Sequence, residues 1–211
     1  MMIDPKTQSY KENYKLLIGS IVPRPIAFVS TRSPDGVLNL APFSFFTAIS
    51  SDPPTICFSP GRRGSDGAKK DTWTNIEATG EFVVNVVTEA MAVAMNETAS
   101  ELPPEMSEFE YAGFTPAASD IISAPRVAES PISMECKLVQ IVELGNAGPG
   151  GAALVIGEVI RFHVADNLLE NGRIDVGLLH PVARLAGTEY TTLGRRFSLE
   201  RKPWPSDKHT Q

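Results

Sequence analysis

Cysteine, histidine and long apolar runs are scarce in this 211-residue chain, and each shortage excludes a class of protein. Cys57 and Cys136 lie far apart and form no CxxC pair, so neither a disulfide framework nor a thiol redox motif is predicted. We interpret both as buried structural thiols, because each lies in an apolar, strand-like run. No apolar run reaches the roughly 18 residues of a membrane span, and the amino-terminal segment has no signal-peptide pattern. These absences predict a cytoplasmic protein without a membrane partner.

Several catalytic motifs are also missing. The three histidines are too widely spaced to predict a zinc site, so no metal is expected. No GxSxG sequence is present to carry a serine hydrolase triad, and no GxxxxGK[ST] sequence is present to carry a phosphate loop. The glycine-rich stretch 145–151 precedes a strand-like segment instead of a helix, so it is predicted to be a hairpin loop and not a dinucleotide motif.

Positive charge is in deficit overall but concentrated in one stretch. The formal net charge is −6, and a broadly acidic surface repels a phosphate backbone, so nucleic acid is not an expected partner. Residues 59–72 (SPGRRGSDGAKKDT) nevertheless hold four cations and run into a predicted helix start. Glycines allow close backbone approach to an anion, and a helix start adds unpaired N–H groups. This stretch predicts a site for one small phosphate; an exposed, solubilising turn is the alternative.

An aromatic loop, residues 39–47 (NLAPFSFFT), precedes the basic stretch. Strand alternation would send Phe45 and Phe46 to opposite sides, so a single buried face cannot hold both. The strand is predicted to be interrupted at Ala41-Pro42, where it must bend, bulge or become an edge, because proline cannot donate a ladder hydrogen bond. The alternative is that these rings are only core residues. An aromatic loop beside an anion-binding loop predicts a planar ring with a phosphate tail, as in FMN.

Short strand-like runs between Pro- and Gly-rich turns dominate the chain, which predicts a mainly β, antiparallel barrel or sandwich in one domain, residues 1–211. Residues 1–13 and 204–211 are predicted to be loosely ordered. The predicted strands span residues 26–31, 37–40, 43–50, 55–59, 81–87, 132–144 and 152–165. Short helices are predicted at 10–18, from a cap at Asp71 or Thr72 to Gly80, and after a cap at Thr88. The Pro-, Glu- and Ser-rich segment 101–131 is predicted to be an irregular excursion anchored by Phe109, Tyr111 and Phe114.

Five motifs occur in the order PRPIAFVST, DG-x-LNLAPFSFFTAISSDPP, KDTWTNI, GEFVVN and HPVARLAGTEY. With these motifs the chain resembles the flavin reductase-like family of FMN-binding split-barrel proteins, in its flavoredoxin-like branch. The resemblance covers roughly residues 14–203. It implies a six-stranded antiparallel Greek-key split barrel with a few short helices. It also implies a homodimer with FMN near the subunit interface and an NAD(P)H-linked flavin reductase or related electron-transfer activity.

The same resemblance implies site residues by their positions in the motifs. Those along the flavin ring are Ser44, Phe45, Phe46 and Thr47, in a wall shaped by Asn39 and Pro42. Those around the phosphate are Ser59, Arg62, Lys70 and Thr72, with Arg24 as a further contact. The late motif places His180, the catalytic candidate, and Arg184 near the ring or the nicotinamide. A purely structural role is the alternative for His180.

Three functions remain open at this stage. The first is an enzyme in which NADH or NADPH reduces flavin, and the flavin passes electrons to an unidentified acceptor. No catalytic triad is then required, because the flavin carries the redox chemistry. The second is an FMN carrier, sensor or electron shuttle without NAD(P)H turnover. The third is an all-β structural module that binds neither molecule.

Overall fold

The computed structural model describes residues 1–103 and 105–201, and half of its strands, including the longest ones, belong to one antiparallel sheet. The strands are β1 (Arg24–Pro25), β2 (Ala27–Arg32), β3 (Leu38–Phe43), β4 (Phe46–Ser51), β5 (Pro54–Phe58), β6 (Glu81–Val86), β7 (Pro116–Ala117), β8 (Arg126–Val127), β9 (Ile132–Leu144), β10 (Ala152–Val164), β11 (Leu169–Glu170), β12 (Arg173–Ile174), β13 (Val182–Arg184) and β14 (Tyr190–Thr192). The α-helices are α1 (Tyr10–Ser20), α2 (Asp71–Thr79), α3 (Ala92–Glu97), α4 (Glu108–Ala112) and α5 (Val176–Leu179). Single 3₁₀ turns span Pro5–Thr7, Glu89–Met91 and Asp166–Leu168. None of the helices in the described residues is long and apolar enough to cross a membrane.

The main sheet has seven strands in the order β3-β2-β6-β9-β10-β5-β4. Its two sides approach each other: the rings of Phe43 on the edge strand β3 and Phe58 on β5 lie 5.2 Å apart, although four strands separate them in the sheet. Both rings belong to one buried cluster with residues of β2, β6, β9 and β10, so the sheet curls around this cluster. The mainly β, antiparallel fold with few short helices is confirmed, with seven strands in this sheet instead of six.

Of the outcomes predicted at Ala41-Pro42, the edge strand is confirmed and the interruption of the strand is wrong. β3 continues through Phe43 and pairs Pro42 opposite Phe28 on β2. This is possible because β3 is an edge strand that pairs only with β2, so no strand on its other side needs a hydrogen bond from the N–H that proline lacks. The chain leaves the sheet after Phe43 instead, at Ser44-Phe45, and re-enters it in β4.

Helix α2 begins at Asp71 and ends at Gly80, whose φ of 69° is in the left-handed region favoured by glycine. The predicted side-chain cap is wrong: the N-cap residue is Lys70, and no side chain bonds the first N–H groups. The reason is that the two candidates are engaged elsewhere. Thr72 donates to Asn39, and the carboxylate of Asp71 accepts from Arg63. The first turn therefore carries N–H groups without a side-chain partner.

The amino-terminal residues contain more structure than the sequence predicted. After the turn at Pro5–Thr7, Ser9 caps helix α1 in a reciprocal capping box with Glu12. The helix predicted at 10–18 is confirmed as α1, and the loose ordering of residues 1–13 stays a prediction. Residues 204–211 lie outside the described residues.

The segment 101–131 was predicted to be irregular, but its described part contains α4 and the paired strands β7 and β8. Phe109 and Phe114 are buried in a second core cluster, as predicted. Tyr111 is not an anchor, because half of its surface is exposed. The stretch 145–151 joins β9 to β10 as the predicted hairpin loop, and both cysteines are buried and free, as predicted.

Candidate functional site

A cavity of about 580 Å³, hereafter the first cavity, opens where the aromatic loop meets the basic loop. Its volume is in the range of pockets that hold a drug-sized ligand. Four segments line it: helix α1, the end of β3 with the following loop, the basic loop, and the hairpin loop between β9 and β10. The sequence-predicted residues among its lining are Pro42, Ser44, Phe45, Ser59, Arg62 and Lys70.

Carboxylates already neutralise three of the four cations in the basic loop. Arg63 donates to both carboxylate oxygens of Asp71, at 2.8 and 2.7 Å. Arg62 pairs with Glu143 at 2.9 Å, and Lys69 pairs with the same residue at 3.2 Å. These three cations therefore fix the shape of the loop and carry little uncompensated charge.

Lys70 is different. It lines the first cavity, and its ammonium group makes no hydrogen bond or ion pair within residues 1–103 and 105–201. Its Nζ lies 5.9 Å from the centroid of the Phe43 ring. Burial lowers the pKa of Lys70 below its ordinary value, because an ammonium loses hydration there. An anion bound in the cavity would stabilise this charge, and the uncapped first turn of α2 begins directly after it.

Aromatic side chains form the opposite wall. Phe45 lines the cavity and is 38% exposed, whereas Phe46 is half-buried against the main core. The two rings therefore lie on different sides, as strand alternation predicted. Phe45 lies beside Tyr14 of helix α1, with ring centroids 6.4 Å apart and an interplanar angle of 33°. This tilted pair leaves aromatic surface facing the cavity.

Helix α1 and the hairpin loop complete the site; the sequence predicted both elements but gave neither a role in the site. Tyr10, Tyr14 and Leu17 line the cavity from α1 at helical spacing. That apolar face was a usable signal, because it had no assigned partner in the sequence analysis. From the hairpin loop, Gly150 and Gly151 approach the same cavity, which the sequence could not indicate because a hairpin's docking partner is a tertiary contact.

Arg24 does not line the first cavity. It is buried, and its guanidinium donates to the carbonyls of Ile18, Ile21 and Leu185 at 2.6, 2.8 and 2.8 Å. Its Nε also donates to Ser44 Oγ at 3.4 Å. Arg24 thus joins the end of α1 to the residues after β13 and supports Ser44 from behind.

Three other predicted residues also lie away from the cavity lining. Asn39 and Thr72 are buried and bonded to each other, with 2.7 Å between Asn39 Oδ1 and Thr72 Oγ1. They connect β3 to α2 behind the cavity. Thr47 is exposed on β4, an edge of the main sheet.

The residues of the late motif are not brought to the first cavity. His180 is exposed, has a φ of 45° and lines a separate cavity of about 550 Å³ with Glu89 and Leu179. Arg184 donates to Tyr190 Oη and to the carbonyl of Gly187, and its guanidinium lies 4.5 Å from the Tyr190 ring. Within one chain, these side chains and the first cavity are parts of different surfaces.

Known proteins that are similar to this chain point to one family. Residues 18–185 match the flavin reductase like domain. The chain is similar to the structure of nitrilotriacetate monooxygenase component B from Bacillus cereus, with 47% identity, a TM-score of 0.90 and coverage of 94% of this chain and 98% of that one. It is also similar to 2-nitrobenzoate 2-nitroreductase from Pseudomonas fluorescens, with 32% identity, a TM-score of 0.85 and coverage of 98% and 100%.

A third structure bears on the fold alone. It is a Shewanella frigidimarina protein with a split barrel domain, 24% identical, with a TM-score of 0.80 and coverage of 97% of this chain and 100% of that one. The predicted split barrel is thereby confirmed. The match over most of the chain supports a flavin-related oxidoreductase activity in general terms, and the chain belongs to the flavin reductase-like family.

Proposed function

We propose that the protein binds FMN in the first cavity and acts as an NAD(P)H-dependent flavin reductase or a related electron-transfer oxidoreductase. One observation carries the proposal. The cavity has an exposed aromatic wall at Phe45 and, beside the start of α2, the cation Lys70, which has no ion pair in the described part of the chain. A planar ring with an anionic tail has the matching chemistry.

The phosphate end is proposed to involve Lys70, Arg62 and Ser59. Lys70 supplies the uncompensated charge, and the hydroxyl of Ser59 can donate to a phosphate oxygen. Arg62 lines the cavity but is held by Glu143 at 2.9 Å, so it contributes a shared charge. Thr72 acts from behind, because its hydroxyl is already donated to Asn39.

The ring end is proposed to involve Phe45, Pro42 and Ser44, together with Tyr14, which the sequence did not indicate. Phe45 and Tyr14 offer aromatic surface for stacking, and Pro42 offers a rigid apolar edge. Arg24 holds Ser44 Oγ in place and does not itself touch the ring in this proposal. Asn39 shapes this wall through β3, while Phe46 and Thr47 support the loop.

Bound flavin would supply the redox chemistry, accepting a hydride from NADH or NADPH and passing electrons on. The protein's own residues then have to bind, orient and shield the ring. We see no dedicated nicotinamide motif, so the preference between NADH and NADPH and the final acceptor stay open. The cytoplasmic location stays a prediction.

A homodimer is part of the proposal. The edge strand β4 carries no charged residue, and Ile49 on it is half exposed, so this edge has no evident protection against pairing. Neither His180 nor Arg184 lines the first cavity of its own chain. In a dimer, these two residues of one copy could lie beside the flavin bound in the first cavity of the other copy. In that arrangement His180 is the candidate to donate or accept a proton beside the ring.

An FMN carrier, sensor or electron shuttle is the second candidate, because the charge and the aromatic wall account for the flavin and not for the nicotinamide. A purely structural module is the third. Alanine at both Lys70 and Arg62 separates the third from the others: unchanged flavin affinity would remove the phosphate assignment.

The deciding measurement is an anaerobic absorbance spectrum of the protein with FMN, before and after adding NADH or NADPH. A flavin band that the protein perturbs and that nicotinamide bleaches supports the reductase. A perturbed band that persists supports the carrier, sensor or shuttle. An unperturbed band rejects the flavin site.

A further inference from the structure

Glu108, the first residue of α4, is a buried carboxylate in the segment 101–131, to which the proposed function gives no role. Only 6% of its surface is exposed. A buried carboxylate is costly unless its oxygens accept hydrogen bonds, so its donors indicate what it holds in place.

Two donors converge on the same oxygen of Glu108. The backbone N–H of Leu40 and the Nδ2 of Asn39 both lie 2.9 Å from its Oε2. Both donors belong to β3, which is an edge of the main sheet. The carboxylate thus occupies the place where a neighbouring strand would otherwise satisfy β3.

The carboxylate also fixes which way the Asn39 amide faces. An ionised carboxylate only accepts hydrogen bonds, so the NH₂ group of Asn39 must point toward Glu108 and its Oδ1 must point away. That Oδ1 accepts from Thr72 Oγ1 at 2.7 Å and from Thr31 Oγ1 at 3.3 Å, and Thr72 is 1% exposed in the first turn of α2. Without the carboxylate, the NH₂ group of Asn39 would lose its acceptor, and the orientation of the amide would depend on these two hydroxyls alone.

This chain of hydrogen bonds joins β3 to the first turn of α2, next to the first cavity. β3 ends in Pro42 and Phe43, and α2 begins directly after Lys70; all three residues line that cavity. A smaller cavity of about 60 Å³ is lined by both Lys70 and Glu108 on the other side. The separation between the ring wall and the cation therefore depends on the bonds from Glu108 through Asn39 to Thr72.

We propose that Glu108 is a positioning residue of the flavin site: it orients Asn39, which holds the first turn of α2, and with it Lys70, against β3. This inference rests on the proposed function. It assigns a role to the segment 101–131 and predicts selectivity for a flavin that carries a phosphate monoester over one that does not.

The test compares FMN with riboflavin, which lacks the phosphate, by quenching of flavin fluorescence. Glu108→Ala is expected to weaken FMN binding about tenfold and riboflavin binding less than about twofold, because only the phosphate end loses its alignment. Glu108→Gln is expected to bind FMN within about threefold of the wild type, since one amide oxygen can accept both converging bonds. Glu110→Ala is the matched control, because Glu110 is exposed on the same helix.

A double-mutant cycle with Thr72→Val tests the route. Thr72→Val is expected to reproduce the selective loss for FMN, and the double variant with Glu108→Ala is expected to lose less than the sum of the two single losses. The single Thr72→Val result decides the matter if Glu108→Ala does not fold. Equal losses of FMN and riboflavin affinity, or additive losses in the cycle, would overturn the proposed role of Glu108. Either outcome would leave the proposed flavin site standing. A wild-type protein that binds neither flavin would overturn the proposed function and this inference together.

Discussion

Gly150 and Tyr10 touch so closely that a Cβ on the glycine would lie 2.9 Å from the tyrosine ring. Gly150 also has a φ of 94°, a conformation that side chains other than glycine rarely adopt. Through this contact the hairpin loop between β9 and β10 supports helix α1, and both line the first cavity. The wall that α1 provides thus depends on a glycine far from it in sequence.

Gly150→Ala is therefore expected to destabilise the protein by about 1–3 kcal/mol, because the added methyl group strains the loop and pushes against Tyr10. Urea unfolding measures the change. Gly64→Ala is the matched control: Gly64 lines the same cavity, but its added Cβ would meet no atom within 4 Å. Equal stability of the two variants would show that the loop does not depend on this contact.

Lys70→Met is expected to weaken FMN binding about tenfold or more and to leave riboflavin binding nearly unchanged, because the substitution removes the charge and keeps the apolar stem. The unliganded variant should be at least as stable as the wild type, since a partly buried ammonium without a partner is removed. Fluorescence titration and thermal unfolding measure the two effects. Lys69→Met is the control, because Lys69 is already paired with Glu77 at 2.7 Å. If both lysine variants bind FMN alike, Lys70 is not the phosphate anchor.

The sequence was sufficient for the fold class because strand alternation and turn residues are local signals. The opposite placement of Phe45 and Phe46 and the end of α2 at Gly80 followed from such local rules. At Ala41-Pro42 the sequence allowed a bend, a bulge or an edge strand and could not choose among them, because whether β3 is an edge strand is a property of the whole sheet.

Within the site, residue type alone could not show which side chains line the cavity and which hold the surrounding backbone in place. Arg24 and Lys70 are both cations in quoted motifs, but carbonyls of distant segments take up the donors of Arg24, while Lys70 faces the cavity. Glu108 was missed for the same reason. Its segment has no periodic pattern, and only the folded chain brings it to Asn39.

The pH dependence of stability should reveal Glu108 as well. Burial raises the pKa of Glu108 above its ordinary value, with the carboxylate of Asp71 adding to the effect. The folded state then binds a proton more tightly than the unfolded state, so this residue's contribution to stability falls as pH rises from the unfolded pKa to the folded one. Glu108→Gln cannot titrate, so it does not lose stability in this way. The free energy of unfolding of the variant minus that of the wild type is therefore expected to increase as pH rises across this window. A difference that does not change with pH would contradict a buried carboxyl that titrates there.

His180→Asn separates the catalytic from the structural role of the late motif. Asparagine tolerates the left-handed backbone, which His180 adopts with a φ of 45°, so the substitution removes the imidazole without adding strain. If His180 moves a proton beside the ring, bleaching of bound FMN by NADH or NADPH should slow about tenfold or more while FMN affinity stays unchanged. Stopped-flow absorbance measures the rate, and light scattering on the same sample measures the oligomeric state.

Since His180 and the first cavity lie apart within one chain, the slowing is expected only in a dimer. A monomer that bleaches FMN at the wild-type rate after this substitution would assign His180 to the turn before β13 and to nothing else.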